Sequence, residues 1–87
     1  MGDTLVAERL KAAKRRTVGT KQTLKAVERG QARVVVFAQD ADERVLQELA
    51  ELSRERGIEV VYIESMVALG KACGIQVGAA SAAIIEG

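Results

Sequence analysis

Eighty-seven residues, 48% apolar and 29% charged, support one hydrophobic core and exclude a second domain. No apolar run approaches the roughly 20 residues that span a bilayer, and no secretory stretch opens the chain, so a cytoplasmic protein without a membrane anchor is expected. Net charge is only +1, yet residues 1–33 carry nine Lys/Arg against three Asp/Glu (+6) and residues 34–64 carry three against eight (−5), with Lys71 and Glu86 cancelling in the remainder. That balance excludes an indiscriminate polyanion binder but permits a local basic face.

In chain order, residues 4–15 read as a helix, with Leu5, Val6, Leu10 and Ala13 on one side and Arg9, Lys11 and Lys14 elsewhere. Thr17-Val18-Gly19 is a short extended segment. A second helix is predicted from Thr20, a good N-cap, to about Arg29, with Thr23, Leu24 and Val27 as its inner stripe and Gly30 as its stop. Arg33 to Ala38 is a β-branched run of the kind found in strands covered on both faces. Asp40 or Asp42 then caps a third helix, lined by Val45, Leu46, Leu49 and Leu52 inside and by Glu48, Glu51, Arg54 and Glu55 outside, ending at Gly57. Glu59 to Ile63 is predicted as a second buried strand. Ser65 caps a fourth helix that runs to Cys73 and stops at Gly74, and Ala82 to Ile85 is a last strand. Strands covered on both faces and joined through helices imply an α/β fold, a three-layer α-β-α sandwich. Its mixed sheet has about four strands, with Thr17–Gly19 at an edge.

Enzyme chemistry finds little to use. The chain has no histidine, which removes the commonest general base and metal ligand. Cys73 stands alone between alanine and glycine, without an imidazole partner or a second cysteine for a disulfide, and is expected to be a small buried residue. Leu69-Gly70-Lys71-Ala72 lacks the Ser/Thr and the earlier glycine of a phosphate loop, so Gly70 is read as a point of close helix packing. Phe37 and Tyr62 both fall in predicted core strands, which argues against recognition of single strands by stacked bases.

Two segments remain. Gly19-Thr20-Lys21-Gln22-Thr23-Leu24-Lys25 opens the second helix, where free backbone N–H groups and the helix dipole attract phosphates and base-edge acceptors. Lys21 and Lys25 are one turn apart, and cations in a first turn oppose the dipole, so helix stability does not explain them. Lys14, Arg15, Arg16, Lys21 and Lys25 are expected to supply the phosphate contacts. Ile75-Gln76-Val77-Gly78-Ala79, after Gly74, is an apolar loop that serves either as core or as an exposed platform for an unstacked base.

These segments, in this order, resemble the seven-Ae ribosomal protein family of kink-turn RNA-binding proteins, from about Val18 to Ile85. The anchors are Gly19-Thr20 with Lys25-Ala26-Val27-Glu28-Arg29-Gly30, then Val34–Ala38 followed by Asp40-Ala41-Asp42. Ser65 with Leu69-Gly70-Lys71-Ala72-Cys73-Gly74 and the closing Ala80-Ser81-Ala82-Ala83-Ile84-Ile85 complete them. The compact length and the Gly-Thr-Lys-Gln start look like the bacterial ribosomal-protein-like branch. The resemblance implies an α-β-α sandwich and a kink turn as ligand: two stems joined by a bulge, with tandem sheared G·A pairs at the bend. It implies that Gly19, Lys21, Gln22 and Lys25, with Arg29 one turn on, meet those pairs in a widened groove. It further implies that Asp42 and the loop residues Ile75, Gln76, Val77 and Gly78 hold a flipped-out nucleotide.

The chain departs from the archaeal pattern at Lys21 and Gln22, where asparagine and glutamate are usual. It also departs at Met66, in place of a basic residue, and at Gly78, in place of a loop proline. Glutamine donates as well as accepts, which alters its pairing with bases. The expected partners are structured RNA containing a kink turn and the ribosome, with the protein acting as a monomer without a cofactor. The competing expectation is a non-catalytic protein-interaction module that uses the acidic third helix.

Overall fold

The computed structural model describes the backbone of residues 2–85 and the side chains of residues 5–85. Helices and strands follow in the order α1 (Gly2–Ala12), β1 (Arg16–Val18), α2 (Thr20–Glu28), β2 (Ala32–Ala38), α3 (Glu43–Glu55), β3 (Glu59–Ile63), α4 (Met66–Ala72) and β4 (Ser81–Ile85). The strands form one sheet in the order β1-β4-β2-β3, in which β2 and β3 are parallel and both neighbours of β4 are antiparallel to it. Helices α2 and α3 pack together on one face, and α1 and α4 on the other. This is the expected α-β-α sandwich, with the short β1 at an edge.

The two central strands explain the packing. β4 contributes Ala82 and Ala83, both fully buried, and such small side chains let the covering helices approach closely. β2 contributes Val34, Val35, Val36 and Phe37, which fill the space on either side. Arg33 escapes burial because the β2–β4 register shifts between Ala32 and Val34, a bulge that turns one residue out of the ladder.

Topology then gathers the loops. Val18 pairs with Ala82, while Phe37 pairs with both Ser81 and Tyr62, so β1, β2 and β3 end where β4 begins. Helices α2, α3 and α4 each follow one of those strand ends and therefore start at that same end of the sheet.

Three expectations need correction. β3 is not buried on both faces: it is the outer strand, and Tyr62 is 53% exposed, meeting buried Phe37 only edge-on at 5.8 Å between ring centres. Val45 is exposed rather than core, and the inner stripe of α3 is Leu46, Leu49 and Ser53. α1 ends at Ala12 rather than at residue 15, and Leu5 on its supposed inner stripe is exposed. β3 keeps its expected bounds, Glu59–Ile63, and the remaining boundaries move by about one residue. β2 starts at Ala32 and β4 at Ser81, while α4 ends at Ala72 with Cys73 as its C-cap.

Candidate functional site

Helix α2 begins differently from its neighbours. Its N-cap is Gly19, not Thr20, and no side chain bonds its free amides. Gly19 has φ +94°, a conformation that a residue with a Cβ adopts only under strain, and its N–H donates to the Ser81 carbonyl at 2.8 Å. Thr20 is turned inward, its Oγ1 sharing a hydrogen bond with Ser81 Oγ at 2.9 Å, so this hydroxyl anchors the helix rather than facing a ligand. Thr23 anchors it again, through Thr17 Oγ1 at 2.8 Å. Lys21, Gln22 and Lys25 are left exposed on a helix with no acid in its first turn. An uncapped helix start flanked by two lysines is a donor-rich surface for an anion or for base-edge acceptors.

By contrast, α3 and α4 are capped. Asp42 Oδ1 accepts from Arg44 N at 2.9 Å, and Ser65 Oγ accepts from Ala68 N at 3.0 Å. Asp40, the other candidate cap for α3, instead accepts from Met66 N at 2.8 Å and so ties the β2 exit to the start of α4.

The loop 74–80 doubles back along α4. Ile75 N donates to the Gly70 carbonyl and Ala79 N to the Met66 carbonyl, at 3.0 and 3.1 Å. Gly70 is the close-packing point expected of it: a Cβ there would collide with the Val77 carbonyl oxygen. Held this way, Ile75 is half-buried while Gln76, Val77 and Gly78 face outward, Val77 at 70% exposure. Val67, three residues before Gly70, is also exposed, at 60%. The loop leads directly into Ser81, the partner of Gly19 and Thr20.

Gly19, Thr20, Lys21, Gln22, Asp42 and the loop's outer residues therefore meet at one end of the sheet, with Lys25 one turn below. Arg29 does not join them; it is the C-cap of α2, at the opposite end. Asp42 is engaged by Arg44, whose guanidinium lies 3.0 Å from Oδ2 and holds the carboxyl below its ordinary range. Exposed Val45, one turn into α3, also stands at this end, where hydrophobic periodicity alone assigned it to the core.

The anticipated basic face is divided. Arg16 is not available for phosphates: it donates to the Leu10 and Ala13 carbonyls and, at 3.1 Å, to the Cys73 carbonyl, closing the ends of α1 and α4. Arg56 closes α2 similarly, through the carbonyls of Val27 and Glu28. Lys14 and Arg15 precede β1 and so lie at the end away from Gly19.

Cys73 is buried, and burial pushes its thiol up from the ordinary value, away from the thiolate a nucleophile needs. Among the described residues no group of His, Cys, Asp and Glu could hold a metal ion, and no helix is long and apolar enough to cross a membrane.

Comparison with known proteins places this architecture. An RNA-binding protein of Caldanaerobacter subterraneus is 49% identical over 73 residues, 84% of this chain and 89% of that protein. An RNA-binding protein of Bacillus pumilus is 46% identical over 68 residues, 78% of this chain and 83% of its own length. The large ribosomal subunit protein eL8 of Halobacterium salinarum is 47% identical over 77% of this chain, which spans 57% of that longer protein. Among solved structures, the Giardia lamblia 15.5kD RNA binding protein superposes with a TM-score of 0.82 at 30% identity, covering 94% of this chain and 69% of that one. A Bacillus halodurans protein of unknown function shares the fold, with a TM-score of 0.79 at 22% identity over 93% of this chain and 81% of its own. Residues 4–87 match the profile of one family, and the chain belongs to it: the ribosomal protein L7Ae/L30e/S12e/Gadd45 family.

Proposed function

We propose that the chain binds structured RNA and recognises a kink turn, stabilising the bent form without catalysis, in association with ribosomal or regulatory RNA. One observation carries this reading: an uncapped, acid-free helix start bearing Lys21 and Gln22 lies at the same end of the sheet as the exposed Val77 loop. The two surfaces offer different chemistry. The helix start presents N–H donors and cations, suited to the acceptor edge of guanine, while the loop presents an apolar spot suited to an unstacked base. The family membership and the names of the relatives support the same ligand class. Binding the bent form alone would shift an RNA that samples bent and straight states toward the bent one.

A gel-shift titration with a kink-turn RNA tests this. Converting its tandem G·A pairs to Watson–Crick pairs is expected to nearly abolish binding, because the widened groove disappears. Equal affinity for both RNAs would leave a generic polyanion binder and overturn the reading.

A further inference from the structure

We propose that Ser81 is a positioning residue that makes the α2 start and the return loop one recognition unit, so that RNA held by the loop strengthens contact at the helix. This rests on the reading of the chain as a kink-turn binder and adds to it a residue that acts from beneath the site. Three consecutive residues at the loop exit are each tied to a different element. Ala79 N donates to the Met66 carbonyl of α4 at 3.1 Å, and the Ala80 carbonyl accepts from Ala38 N, at the end of β2, at 3.0 Å. The Ser81 carbonyl then accepts from Gly19 N at 2.8 Å, and Ser81 Oγ adds the bond to Thr20 Oγ1 at 2.9 Å. Ser81 thus holds two successive residues of the α2 entry, one through its backbone and one through its side chain.

Those two residues aim the helix start. Thr23 N donates to the Gly19 carbonyl at 3.0 Å, and no side chain caps the turn, so the N–H groups of Thr20, Lys21 and Gln22 are the ones left for a ligand. Gly19, at φ +94°, has the freest backbone of any residue type, and external bonds are what give it one direction. Ser81 is fully buried, and its successors Ala82 and Ala83 show that alanine suits this strand. A buried hydroxyl is costly unless bonded, so packing does not explain the serine, whereas the bond to Thr20 does. The other hydroxyl pair, Thr17 with Thr23, fixes the helix one turn lower and involves no loop residue. A displacement of residues 77–80 is therefore felt at the α2 start through Ser81. Ordering the loop around a base lessens the ordering still required of the helix start, and the effect is reciprocal.

The test uses the full chain and its Ser81→Ala, Thr20→Val and Thr20→Ser variants, titrated with a kink-turn RNA and its G·A-disrupted form well below every melting temperature. Ser81→Ala and Thr20→Val, alone or combined, are expected to weaken kink-turn binding by the same factor, roughly three- to tenfold, because each removes the same bond. Thr20→Ser keeps the hydroxyl and should bind like the parent. Val77→Ala should cost less affinity in the Ser81→Ala background than in the parent, since the loop's hold on the helix is already cut. Val6→Ala, a truncation of a buried side chain on α1, should lower the melting temperature without changing affinity, which separates positioning from stability. Parental binding by Ser81→Ala and Thr20→Val overturns the proposal, as does a Val77→Ala loss identical in both backgrounds. Equal losses in Thr20→Ser and Thr20→Val, or in Val6→Ala and Ser81→Ala, overturn it too. The bend reading fails separately, through equal parental affinity for the two RNAs; the same variants are then compared on both, and absence of any binding by the parent overturns both readings.

Discussion

Lys25 and Val77 report on the two halves of the candidate site, and both can be altered without touching the core. Lys25 is exposed on α2, where alanine is also a good helix former, so Lys25→Ala should leave the melting temperature unchanged. If its ammonium meets a guanine edge, affinity for kinked RNA falls by about 1–3 kcal/mol. Val77→Asp sets a carboxylate at a position 70% exposed, so the fold should again survive while RNA binding is lost to repulsion. Melting and affinity are measured together: unfolding by Val77→Asp would make the loop a core element, and full binding by Lys25→Ala would remove α2 from the site. The choice between core and surface for this loop was open in the sequence, because Ile75-Gln76-Val77 alternates equally well either way. Gly70 resolves it, through a backbone contact that no hydrophobic pattern encodes.

At the scale of elements, α4 and its return loop behave as one unit, because the loop's carbonyl lies where a Cβ on Gly70 would stand. Gly70→Ala gains helix propensity but forces the loop outward, and overpacking of this kind typically costs about 1–3 kcal/mol. Thermal melting should therefore show a net loss, with the Ile75 and Ala79 amides exchanging faster than in the parent; an unchanged or raised melting temperature would show that the loop is not pinned. The elements themselves were legible in the sequence: their order and type follow from periodicity, and the family resemblance supplied the matching segments. What local pattern could not give was their placement. Glu-Val-Val-Tyr-Ile reads as a buried strand in isolation, and only the order β1-β4-β2-β3 puts it at an edge and Tyr62 in solvent. Thr20 looked like a cap because threonine caps well, but Ser81, distant in sequence, draws its hydroxyl inward and leaves the cap position to Gly19. Val45 is turned outward because Ser53, which the hydrophobic pattern left unassigned, completes the stripe of Leu46 and Leu49 at helical spacing.

For the whole molecule, charge sets how binding responds to solution conditions. Arg16 and Arg56 are engaged with helix ends and Arg9 pairs with Glu59 at 3.1 Å, so part of the positive charge is used within the fold. The basic border offered to phosphates at the candidate site is short, with Lys21 and Lys25 exposed on it. Log K for kinked RNA should therefore fall with log[salt] at a slope of roughly −2 to −4; a slope near zero would contradict the basic border, and a much steeper one would require contacts on the acidic α3 side. Response to pH should be slight across the middle of the range. The chain has no histidine, and the shifted groups all move away from neutrality. Arg44 holds the Asp42 carboxyl down and Arg9 that of Glu59, whereas burial pushes the Cys73 thiol up. A carboxyl whose folded value is lowered contributes stability that is present above its ordinary value and lost as pH falls through the folded one. A thiol whose folded value is raised contributes stability that is lost as pH rises past its ordinary value toward the folded one. Between about pH 5.5 and 7.5 none of these transitions occurs, so melting temperature and affinity at fixed salt should both be flat. A step in protein stability within that window, measured without RNA, would require a titrating group that these side chains do not provide. A step in affinity alone would belong to a base of the RNA, protonated in the bound form.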